Sequence, residues 1–373
     1  MKSTRLAVAL LAAGSLSPAF ALAQGHTIIE SESGSLSIVN RAQFRFTREL
    51  PDENVRLSGT DGPGEGKGAF RIRRAKTELT GWVWFKRLTY ELQLSWAGPE
   101  PGASTQTPLE DLTLTWDLAG NRRLRVTGGQ FKVPLGRQEM TSSAHLQFVD
   151  RDILSGEFTR GRDVGVMIDG VVARGKIEYA AGMFNGNPAS RLGNDNQAFQ
   201  YNARVVAQPF GSVRYSESDF ESRSPRGADA RRPLAALGVG LEHNDLHGAG
   251  ARQNDYSTTI VSGDLVFKWN GVSLFGEYFG RHRNPETGPS FRSDGWHAQA
   301  GYFVLRDRLE AAVRYAQFDA SAAANDDVKE TGGAVSYFIR KHYLKIQGDI
   351  RRLENQDRGT TNHEVRVQTQ VVF

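Results

Sequence analysis

The sequence contains no cysteine. That removes a disulfide framework and a lipid anchor on a cysteine, even for an exported protein whose compartment would permit disulfides. After residue 24 no apolar run approaches the roughly 20 residues with which a helix crosses a bilayer. Lysine is scarce as well: of 46 Lys and Arg only ten are Lys, leaving 36 Arg. The planar fork of Arg suits phosphate and carboxylate oxygens better than an ammonium does, although a G+C-rich genome also raises Arg throughout a proteome. Catalytic signatures are missing. There is no H-E-x-x-H or G-x-S-x-G, and the eight His form no pair at metal-ligand spacing with supporting carboxylates. The stretch GTDGPGEGKGAF imitates a phosphate loop, but Asp61 stands where the first Gly belongs and Gly68 replaces the hydroxyl residue. No catalytic residue, cofactor or metal ligand set is therefore assigned; Asn194 to Asn196, in a long loop, could at most hold Ca²⁺.

The chain opens MKSTRLAVALLAAGSLSPAFALAQG, with Lys2 and Arg5 before an apolar run and an A-x-A site at Ala21-Leu22-Ala23. This is the pattern of a cleaved signal peptide over residues 1–23, leaving a single domain over 24–373. The net charge of +4 falls to +2 when Lys2 and Arg5 are removed. Such a balance gives no basis for a nucleic-acid partner.

From residue 35 the apolar pattern has period two in segment after segment, the signature of strands, and no segment sustains a 3.6 period. In SLSIVNRAQFRF, Leu36, Ile38, Ala42, Phe44 and Phe46 share one face, and Arg41, Gln43 and Arg45 the other. KRLTYELQLSW, DLTLTWDL, GWHAQAGYFVL and EVRVQTQVVF alternate likewise. Short joints at 85–87, 119–121, 173–175, 306–307 and 340–342 separate longer ones at 47–68, 97–109, 136–160, 185–197, 281–293, 319–328 and 354–362. One rim is tightly turned and the other loop-rich, which fits an all-β transmembrane antiparallel barrel better than a soluble sandwich. Seventeen strand candidates are one too many for an even count. The weakest, GSVRYSESDF at 211–220, is better read as part of an excursion over 211–233, leaving 16 strands around an aqueous channel. In Gly128-Gly129 the in-and-out phase slips, which predicts a bulge.

FRIRRAKTELTG (70–81), GGQFKVPLGRQ (128–138), HLQFVDRDI (145–153), GRDVGVMIDG (161–170), YAAGMFNGN (179–187) and YNARVVAQPFG (201–211) resemble, in order, the phosphate-selective porin O and P family of outer-membrane anion porins. The resemblance implies a sixteen-stranded, trimeric barrel in the bacterial outer membrane, in contact with its lipid. It also implies a constriction loop at 136–160, an arginine pair at Arg73 and Arg74, and phosphate or polyphosphate as the small anions carried. Lys132 is the candidate for the lysine that phosphate-specific members use.

The residues themselves put Arg41, Arg45, Arg71, Arg73, Arg125, Arg204, Arg314 and Arg366 on inward beats; Arg151 lies in the segment that the resemblance makes the constriction loop. Rings of such side chains lower the cost of dehydrating an anion. Yet Glu91, Asp111, Asp117, Asp163, Glu178 and Glu310 also fall inward, so these arginines have two readings: contact with a passing anion, or pairing with carboxylates across the lumen. The excursion's Arg223, Arg226, Arg231 and Arg232 either fold into the pore or sit in a solvated or lipopolysaccharide-facing loop. Function divides three ways: an anion channel, a general or carbohydrate porin, or an outer-membrane barrel enzyme such as a protease or phospholipase. A sugar pore needs inward aromatics for stacking, and the enzyme needs a catalytic constellation at one rim.

Overall fold

The computed structural model describes residues 26–51, 68–97, 108–187, 193–194, 196, 198–222, 232–246, 255–319 and 327–373. Residues 1–23, expected to be a signal peptide, most of the Gly-rich stretch at 59–70, Asp195 and Arg223, Arg226 and Arg231 lie outside these residues. Seventeen strands follow in chain order. They are β1 (His26–Glu30), β2 (Ser35–Pro51), β3 (Gly68–Val83), β4 (Phe85–Ser95), β5 (Leu109–Asp117), β6 (Arg125–Lys132), β7 (Arg162–Val172), β8 (Ile177–Phe184) and β9 (Gln200–Ala207). The second half holds β10 (Leu234–Leu246), β11 (Tyr256–Trp269), β12 (Val272–Pro285), β13 (Phe291–Leu305), β14 (Leu309–Phe318), β15 (Val328–Arg340), β16 (Leu344–Asn355) and β17 (Thr360–Val372). Two short helices, α1 (Arg137–Met140) and α2 (Ile153–Phe158), lie between β6 and β7.

From β2 onward each strand pairs antiparallel with the next, and β17 pairs with β2, so the sheet closes with no free edge. The seventeen strands fill sixteen positions. β17 runs along β2 as far as Val372 opposite Arg41, and β1 continues the same edge with His26 opposite Ile38. The demotion of 211–220 is borne out, because no strand forms between Ala207 and Leu234 among the described residues.

Outward beats carry Phe44, Ile72, Leu112, Leu114, Val239 and Val313, all exposed to the surroundings of the barrel. Aromatic residues gather at both ends of this apolar band. Trp84, Phe85, Phe210, Trp269, Tyr302 and Phe373 lie toward the tight-turn rim; Phe70, Trp96, Tyr201, Tyr278 and Trp296 lie toward the other. That is the lipid-facing profile of an outer-membrane barrel.

Several boundaries differ from the expected ones. The β3–β4 joint is made at Trp84 alone, in a left-handed conformation (φ 62°), and residues 85–87 already belong to β4. The joints expected at 281–293 and 354–362 shrink to residues 286–290 and 356–359, because the strands extend farther than their polar ends suggested. At Gly128-Gly129 no residue is inserted: both neighbouring ladders stay in step. The irregularity resides in Gly129 (φ 131°), where a Cβ would meet the Leu112 carbonyl oxygen at 2.0 Å.

The interior is far from an empty cylinder. Residues 133–161 fold inward from the loop-rich rim, and residues 211–222 enter from the tight-turn rim. Leu135, Leu154 and Phe158 pack on Ile260 and Phe279; Val213 packs with Val206, Ala236, Val266 and Phe275; Phe148 packs on Ala312 and Ala334. Inward beats of β9–β15 thus carry apolar or small residues where a uniformly wet wall would carry polar ones. Gly301 shows why: a Cβ there would meet Gln147 Nε2 at 1.9 Å. The open part of the lumen is left along β3–β5, whose inward residues Glu78, Thr80, Glu91 and Thr113 stay partly exposed.

Candidate functional site

The inward segment 133–161 meets the wall first at β2 and β3. Gln43 pairs with Arg74 and Phe44 with Ile72, so Arg73 is the extra residue of a β-bulge. A bulge lets two consecutive side chains face one way. Arg73 and Arg74 both reach Asp150 of the inward segment, at 3.1 and 2.8 Å, and Arg45 reaches the same carboxylate at 2.9 Å. Burial alone would raise the Asp150 carboxyl, but Arg73, Arg74 and Arg45 outweigh it and hold it well below the usual range. Asp150 therefore stays ionised as a tethered anion between three guanidinium groups. Arg71 sits opposite Arg45 in the ladder, half-buried.

Arg41 is treated differently. Its Nη1 donates to the hydroxyls of Ser142 and Ser143, at 3.1 and 3.0 Å, and no carboxylate of the described residues lies within salt-bridge distance. Beside it on the open wall, Lys76 pairs with Glu110, and Arg162 holds Asp111 at 2.7 Å and Glu110 at 3.3 Å. Glu110 and Asp111 face inward together through a second irregularity, between Gln93 and Leu94. Glu78 and Glu91, farther toward the tight-turn rim, make no hydrogen bond or ion pair with the described residues. Arg125 pairs with Asp169 nearer that rim.

Other expected site residues serve as fasteners. Lys132 donates to the carbonyls of Glu139 and Thr141. Arg151 donates to the carbonyls of Gln138, Glu139 and Thr141 and pairs with Glu139 at 3.3 Å. Burial disfavours the charged Glu139 carboxylate, yet Arg151 and Lys132 hold its pKa below the usual value. Arg204 joins Asp264 and donates to the Leu135 carbonyl at 2.7 Å. Arg314 joins Glu330 and donates to the Asp150 carbonyl at 3.1 Å. Arg366 makes two 2.8 Å bonds to Asp349, which also accepts the Val149 N–H. All three guanidinium groups are packed beneath the inward segment, away from the open wall. Of the two readings left open for the inward arginines, these three show pairing with carboxylates.

The helix α2 is capped by Asp152, whose side chain accepts the N–H groups of Leu154 and Ser155. Its carboxyl is lowered to about 2 despite burial, because His297 pairs with it. Inward acids Glu178 and Glu310 are likewise engaged, by Gln208 and by Gln147 and Ser218. Asp163 accepts backbone N–H groups of Val164, Gly186 and Asn187. Asp117 accepts the N–H of Arg122.

Ser142, Ser143, Asp150 and Glu217 carried no distinguishing pattern, because what makes them special lies across the lumen. The adjacent serines of the inward loop were the available clue.

A sequence model of the phosphate-selective porin O and P family matches residues 54–373. No curated protein matches the chain in a sequence comparison. Solved structures match over nearly the whole chain at low identity. An anion-selective porin from Comamonas acidovorans is 12% identical with TM-score 0.63, covering 91% of this chain and 100% of its own. The outer membrane channel DcaP of Acinetobacter baumannii is 12% identical with TM-score 0.61, covering 92% and 99%. The trimer form of OmpT from Vibrio cholerae is 10% identical with TM-score 0.57, covering 91% and 99%. These similarities establish a shared barrel fold.

Proposed function

The chain belongs to the phosphate-selective porin O and P family and is a porin of the bacterial outer membrane; on that premise we propose that it passes small anions, phosphate foremost, along the β3–β5 wall. The observation that carries this reading is Arg41, whose guanidinium donates to two hydroxyls where Arg204 and Arg366 are met by carboxylates. A guanidinium beside the Ser142 and Ser143 hydroxyls can replace part of an oxyanion's hydration shell, and its fork can bind phosphate by two N–H bonds. Arg73 and Arg74 add positive potential one step toward the loop-rich rim, with Asp150 tempering it so that an ion can leave again. Polyphosphate would extend from Arg41 toward Lys76 and Arg162, sharing these bases with Glu110 and Asp111. Trimer assembly and removal of residues 1–23 complete the proposal; the trimeric Vibrio cholerae structure supports the first.

A second reading, a general anion-preferring porin, draws on the near balance of acids and bases along this wall. Purified protein in a planar bilayer separates the two. Phosphate titrated into a chloride current is expected to block it in a saturable way. A chloride current indifferent to phosphate contradicts the phosphate site and leaves the general pore.

A further inference from the structure

The segment that enters from the tight-turn rim does more than occupy space. Glu217, buried, accepts from Gln138 Nε2 at 3.0 Å, from the Gln147 N–H at 2.8 Å and from Gln299 Nε2 at 2.9 Å, and its own N–H donates to the His145 carbonyl at 3.0 Å. Three of these four contacts are with the inward segment 133–161. They lead directly to the serines beside Arg41, since the His145 N–H donates to the Ser142 carbonyl at 2.8 Å. Gln138 in turn accepts from the Asp152 N–H and Ser155 Oγ at the start of α2. Arg137 reaches back, donating to the carbonyls of Val213 and Arg214 and lying over the Tyr215 ring at 4.3 Å.

The other end of the segment is tied to the β11–β12 turn. Asp219 accepts the Gly271 N–H at 2.6 Å, and Ser222 Oγ accepts the Asn270 N–H at 2.8 Å. Between the two ends, Lys268 donates to the Ser216 carbonyl and Glu221, both at 2.6 Å, and Ser218 donates to Glu310 at 2.7 Å.

We propose that residues 211–222 form a strut that sets the constriction from the tight-turn rim, with Glu217 as the positioning residue that fixes where Ser142 and Ser143 present Arg41. The strut accounts for the open lumen along β3–β5 among the described residues. Two inward segments entering from opposite rims are clamped to each other, and the far wall is sealed behind them. A carboxylate suits this post, because three convergent N–H donors on one buried acceptor are charge-assisted bonds of the stronger kind.

The inference rests on the porin reading, and the test keeps them apart. Wild-type protein and the Glu217→Ala variant are compared in planar bilayers for single-channel conductance and phosphate block, with barrel integrity checked by heat-dependent gel mobility. Releasing the clamp is expected to raise conductance by about twofold and to weaken phosphate block by about tenfold, through loss of the held constriction. Asp219→Asn, which cuts the strut's other anchor, is expected to shift both readings in the same direction, and it serves where Glu217→Ala does not fold. Conductance and block unchanged in an intact barrel would overturn the strut, as would a fall in conductance with block preserved. A wild-type protein without anion current or phosphate block would defeat the functional reading, while a changed conductance in the variants would still uphold the strut.

Discussion

Arg41→Ala is expected to weaken phosphate block of the chloride current about 10- to 100-fold, while thermal stability in detergent moves by less than about 1 kcal/mol. The magnitude follows from removing hydrogen bonds from a charged donor to the anion, about 1.5–3 kcal/mol, where each 1.4 kcal/mol is tenfold in affinity. Stability is spared because Arg41 hydrogen-bonds two hydroxyls, Ser142 and Ser143, and no carboxylate of the described residues loses a salt bridge with it. Titrating phosphate against single-channel current in wild type and variant measures the first effect, and thermal unfolding the second. A variant that blocks like wild type removes Arg41 from the path.

Arg366→Ala is expected to do the reverse, costing about 3–5 kcal/mol of stability because it strands a buried charge. Arg366 and Asp349 are both fully buried, and their two 2.8 Å bonds also orient Asp349 toward the Val149 N–H of the inward segment. Without Arg366 the Asp349 carboxylate keeps that one backbone donor. Replacing both partners together, Arg366→Met with Asp349→Leu, is expected to recover much of the loss, since an apolar pair of similar volume removes the stranded charge. Unfolding midpoints in urea, followed by gel mobility, give the comparison. An Arg366→Ala barrel as stable as wild type would show that the pairing is not what fastens the inward segment.

These opposite expectations for two inward arginines mark where the sequence was legible. Alternation in SLSIVNRAQFRF and EVRVQTQVVF reports which face a side chain takes, since lipid and water are different solvents on two sides of one strand, and the closed sixteen-position barrel follows from it. What lies across the lumen is invisible to a local pattern. Arg45 meets Asp150 more than a hundred positions away, and Val149 meets Asp349 two hundred away. Both arginines of Arg73-Arg74 face inward only because of a bulge whose register is set by the neighbouring strand. GSVRYSESDF looked too serine-rich for a strand, which was right. The excursion's arginines left a solvated loop or a pore insertion open, and 211–222 lie inside the barrel, where Glu221, Glu217 and Asp219 find Lys268, Gln299 and the Gly271 N–H. The sequence left carboxylate pairing as one of two readings for inward bases, and Glu110, Asp111 and Glu139 against Lys76, Arg162 and Arg151 are where the pairing is seen.

The measurement closest to the central claim is the zero-current potential of the purified channel across a planar bilayer with a tenfold potassium chloride gradient. Anion preference along the Arg41 wall predicts a potential displaced toward the chloride equilibrium value. A potential displaced toward that of potassium would mean that Glu78, Glu91 and their neighbours govern the path, and would contradict the account.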